Sequence, residues 1–248
     1  MAELVRTVVA TIRSVSAFVG VALWILLLGP VGMLLAYAFR RPGILYALGR
    51  GGVRLGLGAA GIRFTASGGS HVQVGRGAVY CANHSSNLEP PIIYMVLAGI
   101  HPRLKILYKA ELRAAMPVLR NAFDLVGFVP IERGNRDQSA QAIDQAADAL
   151  AAGDSFMIFP EGTRSRTGRL LPFKKGGFIM AIKGQAPIVP VAVQGADAAM
   201  RKGSPVIRPV TVRVKIGEPV PVDGLDFKDR NALIDRTRRA IEALLASG

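Results

Sequence analysis

A long uncharged stretch near the start of the chain constrains its fold more than any other feature. No Asp, Glu, Lys or Arg lies between Arg13 and Arg40, and residues 17–39 are almost wholly apolar. About 20 apolar residues suffice to cross the core of a bilayer as an α-helix. A secretory signal peptide has a shorter apolar region and a small-residue cleavage pattern, which this stretch lacks. We therefore expect residues 1–60 to form a membrane-associated N-terminal helical segment.

The sequence leaves two arrangements of this segment open. Gly29 and Pro30 lie near its middle, and a Pro inside a helix costs ~3 kcal/mol and favours a kink or a break. The stretch could be one kinked helix that crosses the bilayer, or two shorter helices that enter one leaflet and return. Basic residues lie on both sides, with the larger group downstream. The positive-inside rule then predicts a membrane protein whose remaining residues, 61–248, lie on the cytoplasmic side.

The charge balance points to an anionic partner. The formal net charge is +14, and residues 1–64 carry seven Arg, no Lys and one acid, Glu3. Such a balance suits a phospholipid surface, where each nearby basic side chain contributes ~1 kcal/mol, or a phosphorylated substrate. Aromatic residues are few and do not alternate with basic ones, so we expect no nucleic-acid partner. One Cys and three His provide neither a disulfide framework nor a metal-ligand cluster.

Residues 56–61 (GLGAAG) match the dinucleotide-binding pattern G-x-G-x-x-G letter for letter. That fingerprint requires a strand before it and a helix after it. Here a helix is predicted before it and a strand over residues 62–65 after it. We interpret these small residues instead as positions that let the chain turn or let helices approach closely.

Strands and helices alternate through the rest of the chain, which is typical of an α/β fold with a mixed, largely parallel sheet flanked by helices. We predict one domain over residues 61–248, with a hairpin over 62–74. Strands are predicted at 78–82, 104–109, 127–131, 155–159, 187–193 and 210–216. Helices are predicted from Pro90 to Leu97, over 111–122 with an interruption near Pro117, over 139–151 and around 233–244.

His84 lies where a predicted strand ends and a predicted helix is about to begin, with Glu89 about one turn further on. A carboxylate near a His can accept a hydrogen bond from one ring nitrogen and fix the tautomer. It also stabilises the imidazolium that forms when the other nitrogen takes a proton. The pair is therefore a candidate general base with its orienting acid. Taken alone, the pair is better explained as a surface His in a turn with a Glu nearby, and the rest of the chain has to favour the catalytic interpretation.

A second candidate stretch is residues 159–166 (FPEGTRSR), which follows a predicted strand. Five basic residues and no acid lie between Arg164 and Lys175. Arg binds phosphate through a bidentate fork, and backbone N–H groups at Gly turns add donors. A solvated basic loop is the alternative, but Glu161 at a strand end favours a ligand role. Sites in such sheets form at the carboxyl ends of strands, where four candidates fall: His84, Lys109, Arg133 and Glu161.

Four blocks of this sequence, at residues 84–89, 127–133, 159–166 and 187–191, stand in the order and with roughly the spacing of four known motifs. With them the chain resembles the glycerolipid acyltransferase family of 1-acylglycerol-3-phosphate acyltransferases, the PlsC-like family. The resemblance runs from about Gly61 to Val220, and the FPEGTRSR block is its most specific part.

The resemblance implies acyl transfer from an acyl thioester, of coenzyme A or acyl carrier protein, to the free hydroxyl of lysophosphatidic acid. The product would be phosphatidic acid, with no cofactor and no metal. His84 would be the general base and Glu89 its orienting carboxylate. The residues implied to bind the glycerol phosphate are Arg133, Glu161, Gly162, Thr163 and Arg164, with Lys109 a further candidate. Membrane phospholipid would be the surrounding partner.

One residue departs from the family pattern, which usually reads His-x-x-x-x-Asp where this chain has Glu89. Glu is one methylene longer, so its contact with His84 requires another rotamer or a small backbone shift. The alternatives for function are acylation of another acceptor, such as glycerol 3-phosphate, another lysophospholipid or an acylated amino-acid lipid. A thioesterase and a non-enzymatic protein that binds anionic lipid are further alternatives.

Overall fold

The protein is described by a computed structural model that covers residues 1–115, 117–132 and 136–247. It begins with two long helices, α1 (Ala2–Ala38) and α2 (Gly43–Ala60), which pack against each other. The first helix continues through Pro30, so the uncharged stretch forms one helix rather than two short ones. Within the described ranges, α1 is the one helix long and apolar enough to cross a membrane by length and composition.

Large apolar side chains lie exposed along the whole length of α1. They include Leu4, Ile12, Leu23, Leu27 and Leu34, each more than half exposed. Mostly small side chains are buried against the rest of the protein: Ala10, Ser14, Ala17, Gly32 and Ala36. Exposing this much apolar surface to water is unfavourable, which favours a lipid environment for this helix.

Seven strands form one sheet in the order β1-β7-β6-β2-β5-β3-β4. Their bounds are β1 (Arg63–Ser67), β2 (Val79–Ala82), β3 (Leu104–Lys109), β4 (Val129–Ile131), β5 (Ser155–Ile158), β6 (Ile188–Gln194) and β7 (Thr211–Ile216). All neighbouring strands run parallel except β6 and β7. The mixed, largely parallel sheet predicted from the sequence is confirmed.

Helices cover both faces of this sheet. Their bounds are α3 (Glu89–Val96), α4 (Glu111–Ala115), α5 (Pro117–Leu125), α6 (Arg136–Ala151), α7 (Gly176–Lys183), α8 (Ala196–Ala199) and α9 (Arg230–Ala246). Side chains alternate across each strand. In β2, Tyr80 therefore joins the core shared with α1, α2 and α3, while Val79 and Cys81 join the core shared with α6, α7 and α9. The fully buried pattern of β2 follows from this double coverage.

The predicted hairpin over residues 62–74 is wrong. β1 pairs in parallel with β7, and the chain then forms a short 3₁₀ turn at Gly69–His71 instead of returning as a strand. Gly68 has φ of +76°, and a side chain there would collide with the backbone of Ile216. Alternation of apolar and polar residues indicates a strand but does not identify its partner. The dinucleotide-like pattern covers the end of α2 and its C-cap Gly61 and is followed by β1, so the predicted order of a helix before it and a strand after it is confirmed.

The two N-terminal helices are bonded to the α/β part of the chain. Tyr46 of α2 is buried and donates its hydroxyl to the carbonyl of Leu104, at 2.7 Å. Ser14 of α1 accepts the backbone N–H of Ile207 at 2.7 Å. The hydroxyl of Tyr94 in α3 donates to the carbonyl of Tyr46, at 3.0 Å. These contacts hold the apolar segment at a fixed place relative to the sheet.

Candidate active site

The candidate site lies where two neighbouring strands end. β2 and β5 run parallel, so their carboxyl ends meet at one edge of the sheet. His84 follows β2 by two residues, and Glu161 follows β5 by three. Pro90 and Pro91, in the first turn of α3, are compatible with a helix start there because the first turn needs no internal N–H donors.

His84 and Glu89 form a close pair, with 2.7 Å between Nδ1 of the imidazole and Oε2 of the carboxylate. Glu89 is fully buried, and its Oε1 accepts bonds from the backbone N–H of Ser85 at 2.8 Å and from the Ser85 hydroxyl at 2.6 Å. An acceptor-only carboxylate requires Nδ1 of His84 to carry the hydrogen. Nε2 is then the nitrogen that can take a proton.

The ring of His84 also stacks on Phe159 at the end of β5. The ring centroids are 4.2 Å apart and the planes are inclined by 29°. The His84 side chain keeps 16% of its surface exposed. The imidazole is thus held by a carboxylate at one nitrogen and by an aromatic face, while part of the ring remains open to a ligand.

Glu161 joins the two loops of the site. One carboxylate oxygen accepts the backbone N–H of His84 at 2.7 Å, and the other accepts the backbone N–H of Leu171 at 2.9 Å. Glu161 is only 3% exposed, and this burial raises the pKa of its carboxyl above the usual range. The two backbone N–H donors partly oppose that rise by stabilising the charged form. Both carboxylate oxygens therefore hold the backbone of other residues in place. The predicted contact of Glu161 with the substrate stays a prediction.

The turn after Glu161 contains three more of the predicted residues, Gly162, Thr163 and Arg164. Gly162 has φ of +67°, which favours Gly, and a Cβ there would lie 2.7 Å from Cε of Lys174. Thr163 is exposed and Arg164 is half-buried. The backbone N–H of Ser165 donates to the carbonyl of His84 at 2.7 Å. The turn is thereby fastened directly to the residue that carries the imidazole.

Of the two remaining predicted residues, Lys109 is not part of this group. Lys109 lies at the end of β3, two strands away from β2, and its Nζ pairs with Glu111 at 2.8 Å. Arg133 lies outside the described residues. The sequence interpretation missed Lys202, whose Nζ donates to the carbonyl of Arg164 at 2.9 Å and to Oγ1 of Thr163 at 3.3 Å. No local pattern marks Lys202, because it follows the turn by 38 residues.

An apolar cavity of about 310 Å³ begins beside the loop of His84 to Glu89. Pro90 and Pro91, immediately after Glu89, form part of its wall. The other lining side chains come from α1, α2, α5 and β3, and they include Trp24, Met33, Leu45, Val53 and Ile106. Such a lining binds hydrocarbon better than polar groups. The imidazole and the basic turn therefore lie near an apolar compartment that adjoins the start of α3.

Comparison with known proteins agrees with this geometry. The family model described as Acyltransferase matches residues 63–194, more than half of the chain. The chain belongs to the acyltransferase family. The matched region begins with β1 and ends with β6, so it contains both loops of the site.

Two curated relatives of this acyltransferase-family chain are 1-acyl-sn-glycerol-3-phosphate acyltransferases. The protein from Cocos nucifera is 33% identical over 159 residues, which is 64% of this chain and 50% of the relative. The alpha form from Homo sapiens is 31% identical over 175 residues, which is 70% of this chain and 60% of the relative. The chain spans about half to three fifths of the length of these relatives.

A solved structure resembles this family member over nearly its whole length. The 1-acyl-sn-glycerophosphate (LPA) acyltransferase PlsC from Thermotoga maritima matches with a TM-score of 0.80 and 23% identity. The match covers 98% of this chain and 99% of that one. At this identity the likeness shows the fold, which includes the two N-terminal helices as well as the sheet.

Proposed function

We propose that the protein transfers an acyl group from an acyl thioester to the free hydroxyl of 1-acylglycerol 3-phosphate, forming phosphatidic acid. The observation that carries this proposal is the bond of 2.7 Å between Nδ1 of His84 and the buried carboxylate of Glu89. The pair sits beside a basic turn and an apolar cavity. An acceptor that combines a hydroxyl, a phosphate and a hydrocarbon chain fits all three. The names of the curated relatives support the same acceptor.

His84 acts as general base in the proposed reaction. Nε2 takes the proton of the acceptor hydroxyl as its oxygen attacks the thioester carbonyl carbon. The tetrahedral species then collapses, the C–S bond breaks, and the imidazolium returns its proton to the departing thiolate. Glu89 stabilises the imidazolium between the two proton transfers. A positioned general base of this kind contributes about 10²–10⁴-fold to the rate.

The headgroup phosphate binds at the basic turn in this proposal. The half-buried guanidinium of Arg164 offers a fork of donors, and the hydroxyl of Thr163 adds another. Arg133 remains a candidate for the same phosphate from the block after β4. Glu161 contributes by holding the backbone of His84 beside this turn. The donor thioester is already activated, so the proposed reaction uses no cofactor and no metal.

The apolar parts of the molecule suit amphiphilic substrates. The cavity lined by Trp24 and Val53 would receive an acyl chain. Residues 1–60 would hold the catalytic part, residues 61–248, at a phospholipid membrane on its cytoplasmic side, where coenzyme A and acyl carrier protein thioesters occur. The exposed apolar surface of α1 supports the membrane contact.

A panel of donors and acceptors, given to the purified full-length protein and to a His84→Ala variant, tests this function. Phosphatidic acid should form from lysophosphatidic acid with the wild type and not with the variant. Absence of that product with the wild type would refute the proposal. Product from glycerol 3-phosphate alone would indicate a different acceptor, and release of free fatty acid without any acceptor would indicate a thioesterase.

A further inference from the structure

We propose that Lys202 binds the phosphate of the lipid acceptor and is a specificity-determining residue of this site. The inference rests on the proposed acyl transfer and adds to it a residue outside all four sequence blocks. Lys202 lies three residues after the end of α8 and is half-buried. Its segment reaches the site because the hydroxyl of Ser86, between His84 and Glu89, donates to the carbonyl of Met200 at 3.0 Å.

Lys202 and His84 bond to the two ends of a single peptide group. The peptide between Arg164 and Ser165 donates its N–H to the carbonyl of His84 at 2.7 Å. Its carbonyl accepts from Nζ of Lys202 at 2.9 Å. With standard peptide dimensions, Nζ lies within about 8 Å of that His84 oxygen. Lys202 is thereby connected, through this one peptide group, to the backbone of the residue that carries the imidazole. A glycerol phosphate group bound with its hydroxyl at the imidazole would present its phosphate to this ammonium.

Among the residues that the structure describes, no acidic side chain neutralises the charge of Lys202. Within the ranges that the structure describes, no carboxylate forms an ion pair with Lys202 or with Lys174. Lys174 also reaches this turn, where its Nζ would lie 2.9 Å from a Cβ on Gly162. Two lysines therefore lie at the turn of Gly162, Thr163 and Arg164. Cations without a carboxylate partner at one turn attract an anionic ligand.

The hydrogen-bond capacity of Lys202 also favours a ligand. An ammonium has three donors. Two of them are directed at the carbonyl of Arg164 and the hydroxyl of Thr163. The third remains for a phosphate oxygen, and the two protein bonds hold the ammonium in place to receive it. If the role of Lys202 were only structural, its ammonium would hold the turn of Thr163 and Arg164 in place without contacting the phosphate.

The test separates these two roles by comparing turnover with binding. Kinetics with lysophosphatidic acid are measured for the wild type, Lys202→Met, Lys202→Arg and the control Lys228→Met. Lys228 is 88% exposed and pairs with Asp226, away from the site. Binding is measured in a His84→Ala background, with and without Lys202→Met, using lysophosphatidic acid and a monoacylglycerol of the same chain length.

We expect Lys202→Met to raise the KM for lysophosphatidic acid by about tenfold or more, as loss of a charge-assisted hydrogen bond does. The value of kcat should change less than about threefold. Lys202→Arg should recover most of the loss, and Lys228→Met should show none. In the His84→Ala background, Lys202→Met should weaken binding of lysophosphatidic acid but not of monoacylglycerol.

Two results would contradict the proposed role of Lys202 without contradicting the proposed acyl transfer. One is an unchanged KM in an active Lys202→Met enzyme. The other is an equal loss of binding for both lipids accompanied by a lower melting temperature, which marks a structural role. If the wild type itself forms no phosphatidic acid, the failure belongs to the proposed function instead.

Discussion

Nδ1 of His84 and Oε2 of Glu89 lie 2.7 Å apart although this chain has Glu where the family pattern has Asp. The extra methylene is accommodated by placing Glu89 as the first residue of α3, fully buried, with Oε1 held by the N–H and the hydroxyl of Ser85. A carboxylate at this end of a helix is also stabilised by the helix dipole. The contact between Glu89 and His84, expected to require another rotamer or a small backbone shift, is made at an ordinary hydrogen-bond length.

Replacing His84 with Ala should lower kcat by about 10²–10⁴-fold, because the general base is lost. The chain should still fold, with a stability loss of roughly 1–3 kcal/mol from the bond that Glu89 loses. Acyl transfer assays and thermal unfolding measure the two effects. His71→Ala is the matched control, since His71 bonds to Ile216 on another part of the sheet. Activity of the His84 variant close to the wild type would exclude the imidazole as base.

Glu89→Gln should reduce kcat by roughly 10–10³-fold with little change in KM for the acceptor. The amide keeps the size of the side chain but cannot stabilise the imidazolium with a full charge. Glu89→Asp keeps the charge and should retain more activity than Glu89→Gln, despite a longer contact with Nδ1. Steady-state kinetics of the two variants give the comparison. The reverse order would mean that shape rather than charge at residue 89 supports the reaction.

Glu161→Gln should destabilise the protein by about 1–3 kcal/mol, because one amide end cannot accept the backbone N–H of His84 or Leu171. The displaced loop should also lower kcat. KM for lysophosphatidic acid should change little, since both carboxylate oxygens are engaged with backbone. Denaturant unfolding and kinetics are measured together. A large rise in KM with unchanged stability would instead support a direct contact between Glu161 and the substrate.

Val53→Phe should shorten the acyl chain that the enzyme prefers, because Val53 lines the apolar cavity and a larger ring would fill part of it. The measurement is the ratio of rates with thioesters and acceptors of increasing chain length. Val74→Phe is the matched control, because Val74 is 75% exposed and outside the cavity lining. Equal chain-length profiles for both variants would show that acyl chains do not enter this cavity.

The free energy of unfolding should fall as the pH is lowered, because His101 is held neutral in the folded protein. Burial lowers its pKa from 6.5 to about 4, and Arg50 adds to the effect. Between pH 6.5 and about pH 4, the His101 side chain is protonated in the unfolded chain but neutral in the folded protein. The free energy of unfolding is therefore highest above pH 6.5 and falls as the pH is lowered towards 4. The loss amounts to at most about 3 kcal/mol. Urea unfolding of His101→Phe should show a flatter pH dependence, and the same slope as the wild type would contradict it. Phe preserves the ring contacts with Tyr46 and Tyr94.

Local sequence patterns predicted the elements that carry the site. The apolar run before His84 forms β2, and the two Pro residues after Glu89 lie in the first turn of α3. The strict alternation in Thr211–Ile216 matches the alternating burial of β7. These successes share a cause, because burial of one or both faces of an element imposes a short-range pattern on the chain.

Relationships between distant segments were not predictable in the same way. The hairpin after Ile62 was wrong because the alternation did not reveal that β7, about 150 residues further on, is the partner of β1. Lys202 was missed because its approach to the turn depends on the bond between Ser86 and Met200. The bonds from the two Glu161 oxygens to the backbone of His84 and of Leu171 were also not predicted, because they join segments 77 and 10 residues away from Glu161.

The two N-terminal helices are bonded to the rest of the chain, for example through Tyr46 and Leu104, and this determines what a truncated protein would lose. α1 and α2 supply much of the lining of the apolar cavity, and α5 and the start of α3 supply other parts of it. Removing the first sixty residues to obtain a water-soluble fragment would expose the remaining lining to solvent. Such a fragment would keep the imidazole and its carboxylate, but it would lack the α1 and α2 side chains that line the proposed acyl-chain site.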